Sequence, residues 1–309
     1  MICYLFPGQG AQYTGMGYDF YKHSKEVRLL FQEASDNCGR DFVRLLFEGS
    51  EEELKSTDNT QIAVTLVNLA SSRVLFERGI VPDICAGFSL GEFSAFYQAG
   101  IIERGDLFSL VRRRGEAMER ASRALDSPEG SPGMMAVIGL ELGIVEAAIS
   151  GIKSIYVANH SSPIQVVLSG IGKAMSAAET KLNDAGAMRI VRLKVSGPFH
   201  SPLMYAAREE FSEHIKNVRF SDPKISVFAN VTGKALESGE DAKRYCLEQL
   251  VSSVQWVASE RGIIKLSPER ILETGPGTVL SGLWKSLRSE LKCMPAGTLE
   301  SIDKLTLVN

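Results

Sequence analysis

The segment that most constrains this chain is Gly87-Phe88-Ser89-Leu90-Gly91, set between the apolar run Ile84-Cys85-Ala86 and a helix-like stretch from Glu92 to Ala99 that stops at Gly100. Together these read as a strand, a sharp turn and a helix, with Ser89 at the apex. Glycines two residues to either side let the backbone bend tightly and let strand and helix approach closely, which pushes the hydroxyl out into a cleft. The helix's free amides, beginning near Leu90, then lie where a carbonyl oxygen gains charge during acyl transfer. One turn thus supplies both a nucleophile and an oxyanion donor, and it demands a sheet behind it.

The remainder of the chain has room for such a sheet. Its 309 residues suffice for one large domain or two moderate ones. A 44% hydrophobic and 23% charged composition fits a soluble globular protein. No apolar stretch approaches the roughly 20 residues that span a bilayer. Met1-Ile2-Cys3-Tyr4-Leu5-Phe6 lacks the basic start and long apolar region of a secretion signal, and reads as a buried first strand. Five cysteines (Cys3, Cys38, Cys85, Cys246, Cys293) are scattered without a Cys-x-x-Cys pair. This argues against a disulfide framework or a zinc site and fits a reducing cytoplasm. A formal net charge of −3 gives no global reason to bind nucleic acid.

Helical and strand-like patterns alternate along the chain, which predicts an α/β architecture with a mainly parallel sheet. That sheet should contain Ile2–Phe6 and Ile84–Ala86, with Ser226–Asn230 and Arg270–Glu273 later. Helices are expected over Val27–Cys38, Thr60–Arg78 and Leu107–Leu125. The turn-rich stretch from Asp126 to Gly133 cannot continue the preceding helix and marks a domain boundary. After it comes a strand (Met134–Leu140), a helix (Glu141–Ser150), two strands (Ile155–Ala158 and Gln165–Ser169), a helix (Lys173–Ala185) and a strand (Met188–Leu193). That order is the split β-α-β motif of ferredoxin-like domains. We therefore expect a small domain over 126–195, inserted into a large domain formed by 1–125 and 196–309, with a ligand cleft between them.

A nucleophilic serine needs a base, and four histidines are available. His23 and His214 fall on surface helices, and His160 follows a strand of the small domain, facing the cleft. His200 lies in the loop Ser196-Gly197-Pro198-Phe199-His200-Ser201-Pro202, where the chain re-enters the large domain. This position favours His200 as the base over a structural loop histidine. Arg114 shares the apolar stripe of Leu107, Leu110, Val111, Met118, Ala121 and Leu125, whereas Arg112 and Arg113 point elsewhere. A guanidinium directed inward needs an anion, supplied either by a structural Asp or Glu or by a carboxylate on the acyl substrate. The loop Gly8-Gln9-Gly10 lacks the third glycine of a dinucleotide fingerprint. It reads instead as backbone curling under the site.

Five motifs in this order strongly resemble the malonyl-CoA:acyl carrier protein transacylases over nearly the full length. They are Phe6-Pro7-Gly8-Gln9-Gly10-Ala11-Gln12, Gly87-Phe88-Ser89-Leu90-Gly91-Glu92, Arg114-Gly115, Gly197-Pro198-Phe199-His200-Ser201-Pro202-Leu203-Met204 and Glu273-Thr274-Gly275-Pro276-Gly277. The resemblance implies a hydrolase-like α/β large domain with a ferredoxin-like insert. It implies a malonyl ester on Ser89, with His200 as acid and base and the Gln249 backbone carbonyl orienting it. The amides of Gln9 and Leu90 would form the oxyanion hole, and Arg114 would clamp the malonyl carboxylate. Phe199 would narrow the acyl pocket, and Gln61, Asn159 and Asn230 match further positions near the site. The implied partners are malonyl-CoA, which serves as substrate with no cofactor or metal, and an acyl carrier protein. The implied protein is a cytoplasmic monomer serving fatty-acid synthesis, without nucleic acid or membrane. A stand-alone transferase of a polyketide assembly line has much the same sequence. An acyl hydrolase and a silent carrier-docking module are the readings from other classes. Two positions depart from the family pattern: Phe88 stands where a histidine is usual, and Ser161 replaces an asparagine.

Overall fold

The computed structural model describes residues 1–126 and 130–306, so Ser127-Pro128-Glu129 of the expected boundary lie outside the described residues. Its strands are β1 (Ile2–Phe6), β2 (Ile84–Gly87), β3 (Pro132–Ile138), β4 (Ile155–Ser162), β5 (Gln165–Ile171), β6 (Arg189–Arg192), β7 (Ser226–Phe228), β8 (Arg270–Glu273) and β9 (Cys293–Pro295). Five form a parallel sheet in the order β7-β2-β1-β8-β9. β1 is central and buried on both faces. Tyr4 and Phe6 join the main core beneath the helices, while Cys3 and Leu5 join a second core with Trp256 and Trp284.

The other four strands form an antiparallel sheet in the order β4-β5-β3-β6. The helices Leu142–Ile149 and Gly172–Asp184 fill its own core, with Val145, Met175, Ala178 and Leu182 packed on Met135, Val137, Val166 and Leu168. This is the split β-α-β order of a ferredoxin-like unit. The small sheet joins the large domain at Val254, in the segment just before the helix Trp256–Lys265: the His160 amide donates to the Val254 carbonyl, and the Val254 amide donates to that of Ala158, both at 2.9 Å.

Several bounds differ from the sequence expectation. β7 ends at Phe228 because the Asn230 amide leaves the ladder and donates to the Glu92 side chain. β4 runs to Ser162, so His160 lies within a strand instead of following one. The helix of Arg114 spans Arg104–Arg123, leaving Leu125 in the turn that follows. β9 has no counterpart in the sequence reading.

Candidate active site

The serine turn is built by close approach of backbone. A Cβ on Gly87 would lie 2.0 Å from the Gly91 carbonyl carbon, and one on Gly91 would lie 2.0 Å from the Phe6 oxygen. Neither position accepts a side chain, so β2, the helix Gly91–Gln98 and β1 meet without a gap. Ser89 at the apex has φ 53°, a left-handed conformation that costs a non-glycine residue about 1–3 kcal/mol and needs the surroundings to hold it. Those surroundings include Asn230, whose Oδ1 accepts the Ser89 amide at 2.7 Å.

His200 reaches the serine from the loop after β6. Ser89 Oγ and His200 Nε2 are 2.6 Å apart, and His200 Nδ1 lies 2.8 Å from the Gln249 carbonyl oxygen. Because a carbonyl only accepts, Nδ1 carries the proton and Nε2 presents its lone pair to the serine. The loop is pinned on three sides. Ser169 of β5 donates to the Phe199 carbonyl, Thr57 and Ser196 hydroxyls meet at 2.8 Å, and Gly197 presses against Ser122. These contacts hold His200 at φ 56° and 5% exposure. Burial, then the charge of Arg114, pushes its pKa down to about 3, against the pull of the Gln249 carbonyl. The imidazole is therefore neutral and ready to accept a proton at neutral pH.

Arg114 is fully buried on the apolar stripe of its helix, as the spacing predicts. Its Nη1 donates to Gln61 Oε1 and its Nη2 to Gln249 Oε1, both at 2.8 Å, with Ser89 Oγ 3.4 Å from Nη2. Gly115 gives Gln61 the space to reach it. No carboxylate makes an ion pair with Arg114 among the described residues. The buried Glu92 carboxyl is joined to it through the Gln249 amide. Burial lowers the guanidinium pKa to about 10, opposed by Cys246 and Glu92, so it remains charged.

The loop Gly8-Gln9 lies against the turn: a Cβ on Gly8 would sit 2.3 Å from the Phe88 oxygen and 3.5 Å from the Leu90 nitrogen. Among the described residues the amides of Gln9 and Leu90 meet no protein acceptor, which leaves both open to an oxygen beside Ser89.

The other expected positions divide. Gln61, Asn230 and Gln249 are joined by hydrogen bonds to Ser89 or Arg114. Phe199 is buried next to His200 as part of the main core. Asn159 lies on β4, bridging Val254, and its buried Oδ1 has no hydrogen-bond partner among the described residues. His160 does not reach Ser89; it lines a groove with Thr232, Lys234 and Arg261. His23 and His214 are exposed on helices, as expected. Arg112 and Arg113 both pair with Glu116. Phe88 makes an edge-on ring contact with Trp256 at 5.2 Å, an apolar contact at the edge of the second core.

Two features escaped the sequence reading. The Gln249 side chain is as engaged as its carbonyl, with Nε2 donating to the Ser89 carbonyl at 3.1 Å and to Glu92. Glu92 itself is fully buried among site residues. Its neighbours Phe93, Ala95 and Phe96 leave its helix little polar face, and that pattern is the signal that could have revealed it.

A hydrolase-like α/β sheet with a serine–histidine pair at its strand-to-helix turn, and a buried arginine beside it, defines the class of acyl-transfer proteins. Residues 3–299 match the model of the acyl transferase domain, and the chain belongs to that family. It is 35% identical to a malonyl CoA-acyl carrier protein transacylase of Bacillus subtilis, over 98% of this chain and 95% of that one. Among solved structures it resembles MCAT from Streptococcus pneumoniae with a TM-score of 0.92 and 33% identity, covering 99% of both chains. It also resembles a malonyl-transacylase in complex with its type II PKS acyl-carrier protein, with a TM-score of 0.94 and 34% identity over 100% of this chain and 99% of the other.

Proposed function

We propose that this protein transfers the malonyl group of malonyl-CoA to the phosphopantetheine thiol of an acyl carrier protein, through an ester on Ser89, for fatty-acid synthesis. The observation that carries this reading is the buried Arg114, charged, without a carboxylate in contact among the described residues, and 3.4 Å from the serine oxygen. An acyl group with a terminal carboxylate supplies the missing anion; an uncharged acyl group does not.

In the first half-reaction the Ser89 oxygen attacks the thioester carbonyl while His200 Nε2 takes its proton. The amides of Gln9 and Leu90 receive the oxyanion. Collapse breaks the carbon–sulfur bond, and the protonated His200 returns its proton to the leaving thiolate of coenzyme A. The malonyl carboxylate, bound to Arg114, offsets the positive charge that depresses His200, so the base strengthens when the correct substrate is in place. The carrier's thiol then repeats the sequence in reverse, giving ping-pong kinetics. Gln61 and Gln249 aim the guanidinium, Asn230 holds the turn, Phe199 bounds the acyl pocket, and Asn159 stands at the cleft's small-sheet wall.

Residues 126–195 act in this reading as a small domain covering a cleft in the large one (1–125 and 196–309). The chemistry calls on no cofactor or metal, and the reaction belongs in the cytoplasm with a monomeric enzyme. A polyketide assembly line is the second reading, favoured by the 34% identical neighbour seen with a type II PKS carrier.

The test is to supply malonyl-CoA with and without a holo carrier protein and to compare acylated carrier with free malonate. Transfer to the carrier in large excess over release of malonate is expected. Malonate release at the same rate with or without carrier would make the protein a hydrolase.

A further inference from the structure

Behind the serine, one carboxylate holds two site amides. Glu92, the second residue of the helix Gly91–Gln98, is completely buried. Its Oε1 accepts from the Asn230 backbone amide at 2.6 Å and from Asn230 Nδ2 at 3.1 Å. Its Oε2 accepts from Gln249 Nε2. Both amides are also tied to the reacting groups. Asn230 Nδ2 donates to the Gly87 carbonyl at 2.6 Å, and its Oδ1 takes the Ser89 amide at 2.7 Å. Gln249 Oε1 takes Arg114 Nη2 at 2.8 Å, and its backbone carbonyl takes His200 Nδ1.

A side-chain amide presents a donor at one end and an acceptor at the other, and in isolation either orientation fills the same space. An ionised carboxylate accepts only, so it must meet the NH₂ end. With Glu92 in place, the Gln249 oxygen is turned to Arg114 and the Asn230 oxygen to the Ser89 amide. We propose that Glu92 is a positioning residue for the transfer reaction, fixing the orientation of Gln249 and Asn230 so that Arg114 and the Ser89 turn are held in their working geometry. It acts through these amides and touches neither substrate nor reacting atoms.

The groups facing it are Arg114 from the helix Arg104–Arg123, Cys246 from the helix Gly239–Glu248, and the two amides. Arg114 is the cation among them, linked to Glu92 through the Gln249 amide. Burial pushes the Glu92 carboxyl up to about 7, opposed by hydrogen bonds from Asn230 and Gln249 and by the charge of Arg114.

The inference rests on the proposed role of Arg114 as carboxylate clamp, and the test separates the two. Glu92→Gln keeps the volume but offers an NH₂ group to one of the two amides. That amide must turn over or lose its bond, and the Gln249 contact to Arg114 is disturbed. Malonyl kcat/KM should fall about 10- to 100-fold, the usual cost of losing a partner that orients a site group. Acetyl transfer, which does not use the clamp, should fall several-fold less, and Glu92→Asp, which keeps the charge with less reach, should lie between wild type and Glu92→Gln. Thermal denaturation is measured on each. Should Glu92→Gln fail to fold, Gln249→Met cuts the same relay while leaving the backbone carbonyl for His200, with the same malonyl-selective loss expected. An unchanged malonyl-to-acetyl ratio in a folded Glu92→Gln, or in Gln249→Met, overturns the inference. Wild type without malonyl preference overturns the clamp instead.

Discussion

Replacing Arg114 by alanine isolates the carboxylate clamp from the rest of the site. Arg114 is fully buried and donates at 2.8 Å to Gln61 Oε1 and to Gln249 Oε1, both neutral acceptors. An arriving malonyl carboxylate would form a buried, hydrogen-bonded charge pair, and truncating one partner of such a pair costs about 2–5 kcal/mol. Each 1.36 kcal/mol of lost transition-state stabilisation is tenfold in rate, so malonyl kcat/KM should fall by about 30- to 5,000-fold. Acetyl transfer has no carboxylate to lose and should rise relative to malonyl. The truncation also strips Gln61 and Gln249 of a donor, at about 1–3 kcal/mol for each buried group left unsatisfied, so unfolding is followed alongside the assay. Arg114→Lys keeps the charge without the planar fork and should retain an intermediate share of malonyl transfer. The assay is steady-state transfer from malonyl-CoA and from acetyl-CoA to a saturating holo carrier protein. Equal losses for the two donors, in a variant that remains folded, would refute the clamp.

Three further outcomes are expected. Gly8→Ala drives a methyl group to 2.3 Å from the Phe88 oxygen, so the loop must shift away from Leu90. The kcat should drop about 10²–10³-fold for malonyl and acetyl alike, and an unaltered kcat would remove these amides from the oxyanion site. Phe88→His loses the edge-on contact with Trp256. Urea unfolding should register about 0.5–1.5 kcal/mol less stability with malonyl kcat/KM retained, whereas a large loss of activity would give position 88 a chemical role. Glu260 is buried, and among the described residues neither of its oxygens has a partner in hydrogen-bonding geometry; burial raises its pKa from 4.5 to about 8, opposed by the nearby Trp256 indole. Between those values the folded state holds a proton that the unfolded chain has released, so stability falls as pH rises through this window. Glu260→Gln should flatten that part of a melting-temperature profile, and an identical slope in both proteins would contradict the assignment.

The elements that were legible in the sequence are those whose role is local. Cys3 and Leu5 alternate with Tyr4 and Phe6 on a strand buried on both faces, and such a run of apolar residues is plain without partners. Arg114 was legible because its neighbours repeat at helical spacing, and Ser89 because two glycines frame it. β9 was not, since Cys293-Met294-Pro295 is a three-residue edge strand with a proline and no pattern to detect. Glu92 was misleading in a different way. An acid in the first turn of a helix is favourable in solvent, and only the apolar neighbours Phe93, Ala95 and Phe96 distinguish this case from that one. Its burial follows from Asn230 and Gln249, 138 and 157 residues away in sequence. The side-chain role of Gln249 was hidden for the same reason, although its carbonyl was expected opposite His200.

The central claim is that Ser89 holds the malonyl group between two thiols. Intact-protein mass after brief incubation with malonyl-CoA tests it directly. The account predicts one malonyl group added to wild type, mapped to the Ser89 peptide, lost on addition of holo carrier protein with the malonyl group recovered on the carrier, and absent in Ser89→Ala. No adduct on an active wild-type protein, or an adduct that persists in Ser89→Ala, would contradict it.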